Sequence, residues 1–139
     1  MSTRREAREC SLRMLYMLDN CAIKFDDVCN YLSEYLPKRE SYKIFAINLF
    51  KGVCENKQNI DFFINLYTKN WELERMAVVD RNIIRLATYE IMATPDISVN
   101  VIINEAVEIS KKFSTKDSSK FINGVLDKLK IIRTQKIVE

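Results

Sequence analysis

The chain has 139 residues, with 22 Lys or Arg, 19 Asp or Glu and no histidine, and its formal net charge is +3. A hydrophobic fraction of 47% argues against a disordered chain, and this length suffices for one domain with its own core. Without histidine, Ser/His and Cys/His catalytic pairs and histidine metal ligands are excluded. Gly52 and Gly124, the two glycines, cannot form a P-loop or dinucleotide fingerprint. We therefore expect a non-enzymatic protein that needs no metal or cofactor.

Cysteine usage and hydropathy indicate the compartment. The chain has no CxxC pair among its four cysteines, which are Cys10, Cys21, Cys29 and Cys54. Each lies in or beside an apolar segment, so we expect reduced thiols that pack as small hydrophobic groups. The charged N-terminus lacks the apolar run of a signal peptide, and no segment approaches the ~20 apolar residues of a membrane span. The expected location is the cytoplasm, with no membrane association.

The first half of the chain reads as a series of amphipathic helices. Thr3 and Glu6 fit a capping box at the start of a first helix that runs to about Leu18. A second, shorter helix is predicted to end at Pro37, and a third to begin after Ser41. A fourth follows, with apolar residues at helical spacing: Ile60, Phe63, Ile64 and Tyr67. With two prolines and two glycines, short connections between helices are favoured over hairpins.

The most apolar helix is predicted at residues 76–93, in the middle of the bundle. Its buried face is formed by Ile83, Ile84, Ala87 and Ile91. Its polar residues lie nearer its start, and they are Asp80, Arg81, Arg85 and Thr88. We therefore expect that end of the helix to reach the surface. In the third predicted helix, Gly52 provides a position at which a neighbouring helix can approach closely.

Two more helices complete the prediction. The sixth is predicted at residues 100–113, and the seventh begins after Ser114 or Thr115, either of which can cap it. The seventh helix is expected to bury Ile122, Val125, Leu126 and Leu129. Gly124 in the middle of this helix costs up to ~1 kcal/mol relative to Ala, so we expect close packing to offset it. The tail from about residue 131 is expected to fray, and no linker divides residues 1–139 into separate domains.

The net charge is partitioned along the chain. Residues 1–13 and 111–139 together sum to +7, whereas residues 14–110 sum to −4. If the two termini share one side of the bundle, they form a basic face suited to a polyanion, and the acidic middle suits a basic partner. Ordinary solvated surface charge is the alternative interpretation. A helix start is an unfavourable place for the positive charges of Arg4, Arg5 and Arg8, because they oppose the helix dipole. This is a weak indication of a phosphate partner, and a solubilising surface is the alternative.

Four segments resemble one known family. They are RREAREC near the start, LFKGVCEN at Leu49 to Asn56, VVDRNIIRLATYEI in the predicted central helix, and INEAVEISKKFSTKDSSKFINGVLDK at Ile103 to Lys128. In their order and spacing these segments are similar to the NusB family of bacterial transcription antitermination factors. The last two are the specific ones, whereas an arginine-rich helix start is weak by itself.

The resemblance implies a fold and a function. The fold would be all-α, with about seven helices in two sub-bundles, and the protein would have no catalytic activity. The function would be to bind the boxA element of nascent RNA together with the small-subunit ribosomal protein NusE. This complex would help RNA polymerase to read through terminators, notably in ribosomal RNA operons. Backbone charge combined with stacking is how proteins generally read single-stranded RNA, so the charge partition agrees with this.

The resemblance also implies two sets of site residues. The RNA-binding set comprises Arg4, Arg5, Arg8, Tyr67, Arg81 and Arg85. The set that binds the ribosomal protein comprises Tyr16, Asp80, Phe113, Asp117 and Phe121. A mixture of aromatic and acidic side chains suits a basic partner, since rings supply buried area and acids steer association. Glu90 is expected to be a structural carboxylate beside the core.

Two positions depart from the family's usual pattern, and two other functions remain open. Glu6 interrupts the basic cluster, and Lys116 stands beside Asp117 where a second acid is usual. One alternative is a helical RNA-binding domain related to the N-terminal domain of RNA cytosine methyltransferases. The other is a purely structural adaptor or homodimer.

Overall fold

The computed structural model describes residues 4–20, 24–32, 38–68 and 72–135, and these ranges contain eight α-helices and no strand. The helices are α1 (Arg4–Asn20), α2 (Phe25–Leu32), α3 (Glu40–Glu55), α4 (Lys57–Tyr67), α5 (Val78–Ala93), α6 (Val99–Phe113), α7 (Lys116–Leu129) and α8 (Ile131–Gln135). A turn of 3-10 helix at Leu73–Arg75 precedes α5. The first seven helices correspond to the seven expected from the sequence, and the all-α prediction is confirmed.

Helix α5 lies at the centre of the fold, as its composition predicts. It contacts α1, α3, α4, α6, α7 and α8. Its predicted apolar face is buried, with Ile83, Ile84, Ala87 and Ile91 each no more than 3% exposed. On one side α1 packs against α2 and α3, and on the other α6 packs against α7. The central helix therefore joins an N-terminal and a C-terminal group of helices.

The polar residues of α5 correct the sequence-based prediction. Asp80, Arg85 and Thr88 are at most 7% exposed, so of the four polar residues expected at the surface only Arg81 is even partly exposed. The Thr88 hydroxyl donates to the Ile84 carbonyl at 2.7 Å. Asp80 accepts hydrogen bonds from two serine hydroxyls, and Arg85 donates to carboxylates, as described below. Buried polar groups are tolerated when their hydrogen-bonding capacity is met. The sequence around α5 could not reveal the partners of Asp80 and Arg85, because these lie elsewhere in the chain.

The observed helix starts confirm some of the predicted capping residues and not others. Thr115 precedes α7, and its Oγ1 accepts from the Ser118 amide at 3.1 Å, as a capping residue should. Helix α3 starts earlier than expected, with Arg39 rather than Ser41 preceding its first turn and no side-chain cap. The capping role predicted for Thr3 and the stop predicted at Pro37 lie outside the described residues.

The two glycines occupy opposite environments. A Cβ on Gly52 would collide with the ring of Tyr89, so the expected close approach of a neighbouring helix is confirmed. A Cβ on Gly124 would meet no atom within 4 Å. The expected close packing at Gly124 is therefore wrong, because this position of α7 faces open space.

The C-terminal segment is ordered further than expected. Residues 131–135 form α8, in which Ile132 is 5% exposed. The Arg133 guanidinium donates to backbone carbonyls at and beyond the end of α5, including those of Ile91 at 3.0 Å and Thr94 at 2.6 Å. A cation that binds the last carbonyls of a helix also complements its dipole. The prediction of a frayed tail is therefore wrong for these residues.

The described thiols agree with the reduced state expected. Cys10 and Cys54 are not in disulfides, and burial raises the pKa of the Cys10 thiol, with the charge of Arg13 opposing that shift. A thiol with a raised pKa is less reactive, because the thiolate is the nucleophile. The predictions for Cys21 and Cys29 lie outside what the structure describes of those side chains.

Candidate nucleic-acid interface

The first turn of α1 presents two exposed arginines. The Arg4 guanidinium lies 5.3 Å from the ring centroid of Phe45 on α3. The Arg5 side chain is 45% exposed, and its Nε and Nη2 atoms lie 3.1 and 2.6 Å from the two carboxylate oxygens of Glu105 on α6. The hydrogen bond from Arg5 lowers the pKa of the Glu105 carboxyl, against the opposing effect of burial. Through this pair Glu105 joins α6 to α1.

Arg8 differs from these two residues because it is buried. It is 5% exposed, and its Nε and Nη2 atoms lie 2.8 and 2.9 Å from the carboxylate oxygens of Glu90, which is 1% exposed. Its Nη1 atom also lies 3.6 Å from Glu105. The structural role expected of Glu90 is confirmed. In this arrangement the guanidinium of Arg8 connects α1 to α5 and is not presented to solvent.

The remaining predicted RNA-binding arginines lie near the other end of α1. Arg81 donates from Nε and Nη2 to the two oxygens of Asp19, both at 2.8 Å. Arg85 donates to Asp61 at 2.9 and 3.1 Å, and its Nη1 atom lies 3.2 Å from Asp19. Burial raises the pKa of Asp19, but hydrogen bonds from Arg81 and Asn82 outweigh it, so that the net shift is downward.

The structure therefore divides the predicted RNA-binding residues into two groups. Arg4 and Asp19 are fifteen residues apart on one helix, which at 1.5 Å per residue separates them by ~22 Å. Arg81 and Arg85 lie at the Asp19 end. Tyr67 on α4 is half-buried and stacks on Phe63, with ring centroids 6.4 Å apart. Of the predicted arginines, Arg4 and Arg5 are the accessible ones.

The predicted partner-binding residues gather around the connection between α6 and α7. Asp80 is 6% exposed and accepts hydrogen bonds from Ser114 Oγ at 2.7 Å and Ser118 Oγ at 2.8 Å. It therefore ties α5 to the turn that precedes α7. Asp117 lies in that first turn and is exposed. Asp80 thus positions this surface, while the Asp117 carboxylate is presented on it.

The aromatic members of this set are half-buried. Phe113 ends α6, and the Arg13 and Lys112 cations lie 5.1 and 5.5 Å from its ring centroid. Phe121 lies one turn beyond Asp117 on α7, and Tyr16 lies one turn beyond Arg13 on α1. The connection between α6 and α7 thus combines half-buried rings with an exposed acid.

Besides the Arg8–Glu105 pair, three contacts join α1 to α6, and sequence reasoning did not find them. Arg5 pairs with Glu105, Glu9 accepts from Lys112 at 2.9 Å, and Arg13 lies over Phe113. Lys111, the neighbour of Lys112, pairs instead with Glu108 on α6 itself, at 3.1 Å. A signal was available, because charged residues at positions 5, 9 and 13 follow the i, i+4 spacing of one helical face.

Comparison with known proteins decides the family. The NusB family model matches residues 5–130 of the chain.

The chain belongs to the NusB family.

Relatives and solved structures agree with this assignment. The chain is 42% identical over 135 residues to the transcription antitermination protein NusB of Desulforapulum autotrophicum, which covers 96% of this chain and 94% of the relative. The structure of NusB from T. maritima superimposes with a TM-score of 0.84 at 34% identity and covers 99% of both chains. A second structure, of the antitermination factors NusB and NusE in complex with double-stranded RNA, has a TM-score of 0.82 at 23% identity over 91% of this chain and 95% of that one. At that identity the second likeness shows the NusB fold alone.

The part of this NusB-family chain that the structure describes contains neither a metal-binding cluster nor a membrane-spanning helix. Within residues 4–20, 24–32, 38–68 and 72–135, no group of three or more Cys, Asp or Glu is arranged to hold a metal ion. Among the helices of those same ranges, none is long and apolar enough to cross a membrane. The features that remain to be explained are the accessible arginines of α1 and the surface around the α6–α7 connection.

Proposed function

We propose that this NusB-family protein is a non-enzymatic transcription antitermination factor that acts in the cytoplasm. It binds boxA-type single-stranded RNA together with the ribosomal protein NusE, and the assembly promotes read-through by RNA polymerase, notably in ribosomal RNA operons. Residues 1–139 act as one RNA-binding domain. The observation that supports this most directly is family membership combined with two accessible arginines at the start of α1.

The RNA side of the proposal depends on accessibility. Arg4 and Arg5 present guanidinium groups at the surface, where they can bind backbone phosphates. Arg8 is held by Glu90 beneath them, so its role in RNA binding is to fix the first turns of α1 rather than to contact phosphate. Arg81 and Arg85 are occupied by Asp19 and Asp61 near the other end of the helix, and we assign them the same positioning role.

The protein side of the proposal uses the surface around the α6–α7 connection. Ribosomal proteins are generally basic, and the exposed Asp117 carboxylate supplies a complementary charge. The half-buried rings of Phe113, Phe121 and Tyr16 supply apolar area of the kind enriched in protein interfaces. Asp80 contributes indirectly, since it holds Ser114 and Ser118 and thereby shapes the turn. Lys116 beside Asp117 reduces the acidity of this surface.

A pair of arginine variants tests the RNA side. Arg5→Ala removes one proposed phosphate contact, so the dissociation constant for a short boxA-type RNA should rise about tenfold. The slope of log K against log salt should become shallower by about 0.7. Arg75→Ala is the matched control, because Arg75 has an 84% exposed side chain and lies in the 3-10 turn before α5 rather than on α1. Equal losses in the two variants would show that binding follows net charge and would contradict the proposed site.

A further inference from the structure

Glu105 occupies the part of Arg5 that a phosphate would use. Its two oxygens face the Nε and Nη2 atoms of Arg5, at 3.1 and 2.6 Å. Arginine binds both carboxylates and phosphates by a pair of parallel N–H···O bonds, so the two anions compete for the same edge of the guanidinium. In this structure the carboxylate of the protein itself already fills that edge.

The Arg5–Glu105 pair is built so that Arg5 can leave at low cost. The Arg5 side chain is 45% exposed, so water partly screens its pair with Glu105 and reduces what that pair contributes to stability. Glu105, with a 16% exposed side chain, keeps a second cation when Arg5 departs, because Arg8 Nη1 lies 3.6 Å from its Oε1 atom. Arg8 is in turn held by Glu90. After Arg5 departs, the Arg8 cation still lies 2.8 Å from Glu90 and 3.6 Å from Glu105, so that Glu105 keeps one cation beside it.

We propose that Glu105 limits the affinity of this protein for RNA by competing with the RNA backbone for Arg5. In the free protein Arg5 is held by Glu105, and an incoming phosphate displaces that carboxylate. This inference rests on the proposed RNA-binding function, and it adds a residue that determines affinity without contacting RNA. Arg5 thus exchanges Glu105 for phosphate when RNA binds, whereas Arg8 stays paired with Glu90.

The opposite role for Glu105 would be to orient Arg5 while the phosphate binds another edge of the guanidinium. Charge argues against that arrangement. The carboxylates of Glu9, Glu105 and Glu108 all act electrostatically on Arg5. A phosphate that approached Arg5 with Glu105 still in place would meet repulsion from these acids as well as attraction. Displacement allows Arg5 to move away from them with its phosphate.

Removing the charge of Glu105 tests the proposal. Glu105→Gln keeps the size of the side chain and an acceptor oxygen for Arg8. It should tighten binding of a fluorescein-labelled single-stranded boxA-type RNA by about two- to fivefold at low salt. The log-log salt slope should stay close to that of the wild type, because it follows the number of phosphates neutralised and Arg5 neutralises one in both proteins.

Two controls separate competition from a general change in charge. Glu108→Gln removes the same charge from the same helix. Glu108 pairs with Lys111 and is not hydrogen-bonded to Arg5 or Arg8. This variant should change the affinity less than Glu105→Gln does. In an Arg5→Ala background, Glu105→Gln should give no gain. A gain that persists without Arg5, or that Glu108→Gln reproduces in full, would overturn the proposal.

The outcome can be distinguished from failure of the proposed function. If the wild-type protein shows no selective RNA binding even with the ribosomal protein present, the proposed function fails, and this inference fails with it. If the wild type binds selectively but Glu105→Gln binds no more tightly, only this inference fails. Circular dichroism and thermal unfolding would verify that the variant folds, and Glu105→Ala provides a second variant if it does not. Weaker binding by a folded variant would support the orienting role instead.

Discussion

Arg8 and Glu90 form a buried two-pronged ion pair between α1 and α5, with N···O distances of 2.8 and 2.9 Å. The two residues are 82 positions apart in the chain, and they are 5% and 1% exposed. A buried charge pair of this geometry fixes the relative placement of the two helices, because separation would leave two uncompensated charges. It thereby sets where the accessible residues Arg4 and Arg5 stand on the surface.

Neutralising one member of this pair should strongly destabilise the fold. Glu90→Gln leaves the buried Arg8 cation with only Glu105, at 3.6 Å, as a carboxylate neighbour, and we expect a loss of about 3–5 kcal/mol in the free energy of unfolding. That is a large part of the 5–15 kcal/mol typical of a domain. Urea denaturation followed by circular dichroism measures the change. Glu72→Gln is the control, since its pair with Arg75 is exposed and should contribute less than about 1 kcal/mol. Equal stability of the two variants would contradict a structural role for Arg8.

The two glycines provide a matched pair of substitutions with opposite expected signs. Gly52→Ala would place a methyl group against the ring of Tyr89 and should cost about 1–3 kcal/mol. Gly124→Ala would place a methyl group in open space within a helix and should stabilise the protein by up to about 1 kcal/mol. Thermal unfolding of both variants measures the difference. A stabilising Gly52→Ala would show that α3 and α5 do not approach as closely as described.

Asp19 should contribute to the acid sensitivity of the fold. Arg81, Asn82 and Arg85 face its carboxylate, and Asp61 lies beyond Arg85. Its folded pKa is lowered from the model-peptide value of about 3.9. A lowered folded pKa means that ionised Asp19 stabilises the protein fully above about pH 4 to 5. That contribution is lost as the pH falls through the folded value.

The variant Asp19→Asn tests this pH dependence. It should lower the free energy of unfolding at pH 7, and its stability should fall less steeply than that of the wild type below about pH 4. Urea titrations between pH 2.5 and 7 would measure both effects. Asp127→Asn, at an exposed carboxylate on α7, is the control and should retain the wild-type slope. An unchanged slope in Asp19→Asn would remove Asp19 from the groups responsible for acid unfolding.

Hydrophobic periodicity was sufficient to predict the helices and their central element. The spacing of Ile83, Ile84, Ala87 and Ile91 identified the buried face of α5, because helical geometry places such residues on one side. The same reasoning identified Ile122, Val125, Leu126 and Leu129 on α7, all of which are fully buried. These predictions required only local sequence, which determines which face of a helix is apolar.

Polar residues were harder to place, because their environment depends on partners distant in sequence. Asp80 and Arg85 were predicted to reach the surface, yet Ser114, Ser118 and Asp61 supply partners that allow their burial. No local pattern indicates that Asp61 or Ser118 will lie beside α5. The sequence likewise identified Arg4, Arg5 and Arg8 as one cluster but could not separate the exposed arginines from the buried one.

The RNA-binding and partner-binding roles of individual residues remain predictions. The structure supplies the distinction that makes them testable, which is that Arg5 and Asp117 are exposed whereas Arg8 and Asp80 are paired within the fold. Variants of the exposed residues should change binding with little change in stability. Variants of the buried ones should change stability first, so binding measurements on them require a check that the protein is folded.

The most direct test of the account is RNA binding measured with and without the ribosomal partner. A short fluorescein-labelled boxA-type RNA and a scrambled control would be titrated by fluorescence anisotropy with this protein alone and then with the ribosomal protein NusE. We expect tight and sequence-selective binding when both proteins are present, with weaker and less selective binding by this protein alone. Binding of the ribosomal protein without any RNA selectivity would favour a structural adaptor. Indifference to both RNA sequence and partner would contradict the proposed antitermination function.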